Sequence, residues 1–218
     1  MVFDILTIFP EAFKSYFNTS MIRSGQKKKL IKIRIHNLRK WTHDRHQTVD
    51  DRPYGGGAGM IMKLEPLYFA IKDLKKLKDK SYVVLFSAHG KTFDQKKARI
   101  LSKKKRLILI CGHYEGIDQR VADNLIDEEV SIGNYVLTGG EIPAMILVDA
   151  ISRLIPGVLK KGSLLEESFD KSLDNKGEYP QYTRPAVFKS GSKKWLIPKV
   201  LLSGDHKKID IWRKKHLK

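Results

Sequence analysis

Apolar and basic residues alternate in LIKIRIHNL (Leu30–Leu38), whereas VFDILTI (Val2–Ile8), SYVVLFS (Ser81–Ser87) and RLILICG (Arg106–Gly112) are nearly unbroken apolar runs. Alternation marks a strand with one wet face, and short continuous runs mark strands covered on both faces. Between the first two strands, PEAFKSYFNTSMIRSG opens with Pro10 and closes near Gly25, the punctuation of a helix. EPLYFAIKDLKKLK is an amphipathic helix, and TFDQKKARILSKKK starts one with Thr92 and Gln95 at capping-box spacing. Strand alternating with helix predicts an α/β sheet with helices on both sides.

EIPAMILVDAISRLI (Glu141–Ile155) is apolar nearly all round, so this helix needs cover on more than one face, and a homodimer interface would supply it. Residues 39–60 form a polar, glycine-rich loop, long enough to be functional. After Gly157 the periodicity stops, and KKGSLLEESFDKSLDNKGEYPQ reads as a linker. The segment from Tyr182 onward is small and very basic, ending in a helix with Trp212 and Arg213.

The chain has 218 residues with 42 Lys and Arg against 24 Asp and Glu, a net charge of +18. Such an excess favours a polyanionic partner, RNA or DNA, although lysines spread along the whole chain also suit a solvated surface. The opening MVFDILTIFP lacks a basic n-region and reads as a first strand, and no apolar run is long enough to span a bilayer, so the expected location is cytoplasmic. A single cysteine, Cys111, excludes a disulfide framework and a multi-cysteine zinc site. It reads as a buried residue at a strand end.

Three glycine-bearing segments follow strands or loops: YGGGAGM, CGHYEGID and SIGNYVLTGGE. None has the order of a dinucleotide-binding turn, and the first ends in GMIMK without the lysine of a phosphate-binding loop. Singly, glycines at strand ends are ordinary turns. Together they sit where open α/β sheets place ligands, and backbone groups there suit a neutral planar adenine.

THDRHQTVDDRPYGGGAGMIMK, CGHYEGIDQRVAD, SIGNYVLTGGEIPAM, SRLIPGV and YPQYTRP, in this order and spacing, resemble the bacterial tRNA (guanine-N1)-methyltransferases, the TrmD family of the SPOUT class. The resemblance covers nearly the whole chain. It implies a SPOUT-type parallel sheet whose residues from about Leu85 to Leu137 form a deep trefoil knot, within a catalytic domain over 1–160. A linker over 161–177 and a small, mainly helical tRNA-binding domain over 178–218 would follow. It implies S-adenosylmethionine as methyl donor, tRNA as substrate, and a homodimer with active sites at its interface. The positions matching the family's cofactor contacts are Ser87, Gly112, Tyr114, Glu115, Ser131, Ile132, Gly133, Tyr135, Leu137, Gly139, Gly140 and Pro143.

The implied reaction methylates N1 of guanosine 37, beside the anticodon. N1 is a poor nucleophile until a base removes its proton, and a carboxylate suits the donors of that base edge. Charge then flows onto O6, where a cation stabilises it. Arg153 matches the family arginine beside O6. The family's base is an aspartate just before SF; here Glu167 stands at that position, with Asp170 close by as a competitor. Glu115 matches a contact to the target guanine. Gly57 and Gly59 would pack against the flipped base, with His46, Asp50 and Arg52 as tRNA contacts. The family depends on magnesium, yet no metal cage is evident, so any ion would involve linker carboxylates and substrate.

Further departures are Ala88, where the family usually has proline, a somewhat longer linker before YPQYTRP, and an earlier stop at IDIWRKKHLK than in most relatives, from which fewer contacts to the tRNA stem are expected. The change from aspartate to glutamate keeps an alternative open: an RNA-binding protein of the same fold with another RNA substrate or without catalysis.

Overall fold

The centre of the sheet is built on strand segments that carry mostly apolar side chains. In the computed structural model, which describes residues 1–76, 80–159 and 179–217, β1 (Val2–Thr7), β2 (Lys32–Asn37), β5 (Ser81–Thr92), β6 (Arg106–Ile110) and β7 (Glu128–Ser131) form one sheet in the order β2-β1-β6-β5-β7. Every neighbouring pair is parallel. Central β6 is buried at all of its positions, as its unbroken apolar run requires.

Side chains alternate between two cores. Phe3, Ile5, Leu107, Leu109 and Cys111 face a core shared with α1 (Lys14–Phe17), α2 (Ser20–Lys27), α4 (Gln95–Leu101) and α6 (Glu141–Arg153). Leu6, Ile108, Ile110, Val83 and Leu85 face the other core, beneath α3 (Leu64–Lys75) and α5 (Gln119–Asn124). The predicted α/β sheet with helices on both sides is therefore present. Burial of these large aliphatic side chains, worth roughly 1.5–3 kcal/mol each, is its main support.

Local departures from the sequence expectation have local causes. The helix expected from Pro10 to Gly25 is broken into a 3-10 turn at Pro10–Phe13, α1 and α2. At the break, Asn18 Nδ2 donates to Lys14 O (2.7 Å) and Thr19 Oγ1 to Tyr16 O (2.7 Å). These side chains take the carbonyls that a continuing helix would use. Thr92 does not cap α4. It ends β5, and Asp94 is the cap, its Oδ1 accepting from Lys97 N at 2.6 Å. The 39–60 loop is not structureless either: β3 (Asp50–Asp51) and β4 (Ile61–Met62) pair antiparallel and close it at its base.

The chain divides into two compact units, Met1–Leu159 and Lys160–Lys218. In the second, β8 (Val187–Ser190) and β9 (Lys193–Leu196) form an antiparallel hairpin before α7 (His206–Lys215). A mainly helical unit was expected here, without a hairpin. The hairpin turns at Gly191 (φ +59°), and lysines on its strands hide the apolar alternation that signals a strand. The expected linker, 161–177, lies outside the described residues.

One buried charge cluster ties the sheet together. Asp4, on β1, is fully buried; Arg106 Nε donates to its Oδ2 (2.7 Å), and His36 Nε2 lies 2.7 Å from Oδ1. Burial pushes this carboxyl up, but the hydrogen bonds to His36 and Arg106 outweigh it, and Asp4 titrates below the usual carboxylate range. Its contribution to stability is thus fully present above the unfolded-state value of about 3.9, and is lost as pH falls through the lower folded value. Asp4→Asn leaves the Arg106 charge uncompensated and is expected to cost about 3 kcal/mol in urea unfolding at pH 7. The gap between variant and wild type should close below about pH 3.9; an unchanged gap at low pH would show that the carboxylate charge is not what matters.

Candidate functional site

At the carboxyl edge of the sheet, β5, β6 and β7 give way to three loops around a cavity of about 570 Å³. Its walls are Ser87 to His89 after the buried part of β5, Gly112 to Ile117 after β6, and Ser131 to Gly140 after β7, with Pro143 of α6 at the base. All twelve residues matched to the family's cofactor contacts line this one cavity. Ala88 stands in the same wall as Ser87. The volume lies within the usual range for small-molecule sites, about 300–1,000 Å³.

The cavity exists because backbones approach closely. Gly140 N donates to Gly112 O (2.9 Å), joining the third loop to the second. A Cβ on Gly140 would stand 2.5 Å from Cys111 Cα and 2.9 Å from Gly112 N, against main chain that cannot give way. On Gly139 a Cβ would strike the His113 ring. In the third loop, Ser131 Oγ lies 3.1 Å from Gly133 O and Tyr135 OH donates to Ile132 O (3.2 Å), so the loop folds on itself. Cys111 is wholly buried, and burial raises its thiol well above the ordinary value, so it holds no thiolate for chemistry.

Behind the cavity lies a polar relay that sequence reasoning missed. Thr7 Oγ1 donates to Glu141 Oε1 (2.6 Å), and His113 Nε2 lies 2.7 Å from Glu141 Oε2. The relay links β1, the second loop and the start of α6. Its one signal in the sequence was a carboxylate opening an otherwise apolar helix. Glu141 is buried, and both its oxygens are used.

The glycine loop at 55–59 meets the same wall. Glu115 N donates to Met60 O (3.0 Å), Met62 N to Gly116 O (2.9 Å) and Asp118 N to Met62 O (3.0 Å). Gly59 has φ +83°, and a Cβ there would run into the Glu115 side chain. Gly57 has φ +123°, and a Cβ there would meet Pro53 Cγ at 3.9 Å, an ordinary contact. Tyr114 adopts φ +61°, a left-handed conformation costly for a bulky residue. Burial, with a hydrogen bond to Asp50, raises its phenol above the ordinary value. Asp50 and Gly59 are thus brought to the cavity's mouth, whereas Arg52 and His46 lie exposed elsewhere on the loop.

Arg153 does not join this group. It ends α6, ten residues beyond Pro143, which at about 1.5 Å per residue is roughly 15 Å along the helix. Glu167 and Asp170 lie outside the described residues. Among the described residues no group of three or more His, Cys, Asp or Glu could hold a metal ion, and no helix is long and apolar enough to cross a membrane.

An all-parallel open sheet with a glycine-walled cleft at its carboxyl edge defines an α/β protein with a cavity where such sheets place ligands. The family model described as tRNA (Guanine-1)-methyltransferase TrmD matches residues 1–218, and the chain belongs to that family. It is 52% identical to the tRNA (guanine-N(1)-)-methyltransferase of Carboxydothermus hydrogenoformans over 99% of this chain and 82% of the relative. It is 54% identical to the enzyme of the same name from Dictyoglomus turgidum, over 97% of this chain and 83% of the relative.

Gly140→Ala is expected to destabilise the protein by about 3 kcal/mol, because main chain must move to admit the methyl group. Gly112→Ala, whose Cβ would meet Ile117 at an ordinary 3.4 Å, should change stability by less than about 1 kcal/mol. Chemical unfolding of the two variants checks the contrast, and equal losses would show that the approach at Gly140 is not tight.

Proposed function

We propose that this protein methylates N1 of the guanosine at position 37 of tRNA, using S-adenosylmethionine, as a homodimer with active sites at its interface. The observation that carries this reading is the single cavity that gathers all twelve family-matched residues, with Glu115 and Gly59 packed together at its mouth. S-adenosylmethionine, when bound, supplies an electrophilic methyl group on a sulfonium. The cavity fits it: peptide groups of Gly112, Ile132 and Leu137 can pair with an adenine edge, while Phe86, Val130 and Pro143 offer apolar surface to a planar ring.

For the RNA, the glycine loop leaves room for a flat base beside Glu115, where its carboxylate can accept from the guanine N1–H and N2–H₂ edge. A carboxylate base then removes the N1 proton, and a cation stabilises the charge developing on O6. Glu167 is assigned as that base, with Asp170 the competitor, and Arg153 as the cation. Since Arg153 lies at the far end of α6 from the cavity, it would serve the site of a second copy. Support for that pairing comes from α6 itself: Ile142 and Ile146, one turn apart, are 54% and 39% exposed, an apolar stripe awaiting cover. Magnesium, which the family uses, would be held by linker carboxylates and substrate.

A trefoil knot is part of the same proposal. Between Phe86 and Lys91 the β5 register shifts, so that Val130 of β7 pairs with both residues. The chain of 87–90 loops out and returns, and a Cβ on Gly90 would lie 2.6 Å from Val130 N. The following segment then crosses back to Cys111 at Gly140. This detour and crossing support a threaded chain, an exception to the usual unknotted connection. Small, basic and carrying a hairpin and helix, the second unit is assigned to tRNA. A binding protein without catalysis is disfavoured, because a complete cofactor cleft would then serve nothing.

Wild type, Glu167→Gln and Asp170→Asn are to be incubated with S-adenosylmethionine, magnesium and unmodified tRNA carrying guanosines at positions 36 and 37. The expected product is N1-methylguanosine at position 37, with kcat lowered at least about 100-fold in Glu167→Gln alone. A wild type that binds cofactor and tRNA but transfers no methyl would sink the catalytic reading.

A further inference from the structure

The amino edge of the sheet, opposite the cleft, carries a charge pattern that methyl transfer does not use. Register sets Lys32, Val2, Arg106 and Ser81 in one row across β2, β1, β6 and β5. Residues leading into these strands share that edge: Val2 N donates to Lys105 O (2.9 Å), and Lys80 immediately precedes β5. Lys103 and Lys104 join them beyond α4, and Lys29 precedes β2. All six lysines, Lys29, Lys32, Lys80, Lys103, Lys104 and Lys105, are exposed. With strands about 4.8 Å apart, the row spans roughly 15 Å.

Among the described residues, the carboxylates near this edge are already engaged. Asp4 is paired with Arg106, Asp73 with Lys76 and Glu128 with Lys97, and Asp127 accepts from Val83 N. In sequence, residues 77–79 add Lys78 and Asp79, which cancel. The edge is therefore a concentrated, uncompensated positive strip.

Two ordinary reasons for lysines do not cover it. Cations favour helix C-termini, which accounts for Lys103 and Lys104 after α4, but Lys32, Lys80 and Lys105 lie at strand starts. The second reason is solubility, yet at the other edge the cleft itself is lined by Glu115 and Glu129 and by no lysine or arginine, with Arg39, Lys40 and Lys91 outside that lining, whereas six lysines crowd this edge with no acidic side chain among them in the described residues. Crowded like charges repel one another, so the strip costs stability unless an anion meets it.

We propose that this edge docks the phosphate backbone of a helical tRNA stem distant from the guanine being methylated, an inference that rests on the tRNA reading above. Strands β1 and β6 have 6 and 5 residues, about 17–20 Å at 3.3 Å each, so the strip cannot reach a base held in the cleft of the same protomer. A duplex fits better than a single strand. Single strands need aromatic platforms for their bases, and the aromatic side chain here, Tyr82, lies beneath Lys104 Nζ at 4.4 Å. Lysines alone hold phosphates and position a helix without reading its sequence.

The test compares wild type with Lys103→Ser/Lys104→Ser/Lys105→Ser, and with the same three sites changed to Arg. Two substrates are used: whole tRNA, and a hairpin containing only the stem-loop with the target guanosine. The serine variant should lose about tenfold in kcat/KM on whole tRNA, with a salt dependence shallower by about one power per lysine. The hairpin should be methylated as by wild type, the KM for S-adenosylmethionine should hold, and the arginine variant should match wild type. Equal losses on both substrates, or none on either, would overturn the proposal. Should wild type methylate neither RNA, fluorescence anisotropy with the same RNAs reads the same contrast in Kd, and the catalytic reading fails separately.

Discussion

The contact on which the site depends is the approach of Gly140 to the end of β6. It brings the loop after β7 across the sheet to within a side chain's width of Cys111 and Gly112, and the hydrogen bond from Gly140 N to Gly112 O holds it there. Everything useful follows from that crossing. It closes the cavity between three strand ends, starts α6 at the cavity floor, and sets His113 against Glu141. A Cβ at this point would push apart two stretches of main chain, neither able to rotate away. The glycine pair is therefore a packing requirement, and the cavity wall it forms is the consequence.

The two ends of the sheet are built on opposite electrostatic terms. At the carboxyl edge, the Thr7–Glu141–His113 relay satisfies buried polar atoms and keeps the cleft walls in register. Toward the amino edge, Asp4 and Arg106 neutralise each other inside the sheet, while uncompensated lysines collect outside it. One strand, β1, supplies both Asp4 and Thr7, so the same six residues anchor the charge pair and the relay.

The glycine loop shows how two distant motifs become one surface. Met60 and Met62, which follow the 55–59 run, are stitched to the 112–118 loop by three backbone hydrogen bonds, and Gly59 gives its space to Glu115. Glycine at that position answers to a neighbour across the site. Gly57, by contrast, is exposed, and its positive φ of +123° answers to the turn of the loop itself.

Much of this was legible in the sequence. The apolar runs named the strands because burial on both faces admits little else, and the ordered motifs named the family and the cavity walls. Break points were less legible: Asn18 and Thr19 end one helix through side-chain hydrogen bonds, and Asp94 takes the cap expected of Thr92, because such local competition is settled by geometry. The hairpin at 187–196 was hidden by lysines that carry no periodic signal. What the sequence determined by itself was composition along each strand and the order of the motifs. Only the tertiary structure decided that Glu141 reaches both Thr7 and His113, that Arg153 stands away from the cleft, and that six lysines from separate segments meet at one edge. These depend on strand order and register, which bring together residues up to 134 positions apart and which no local pattern encodes.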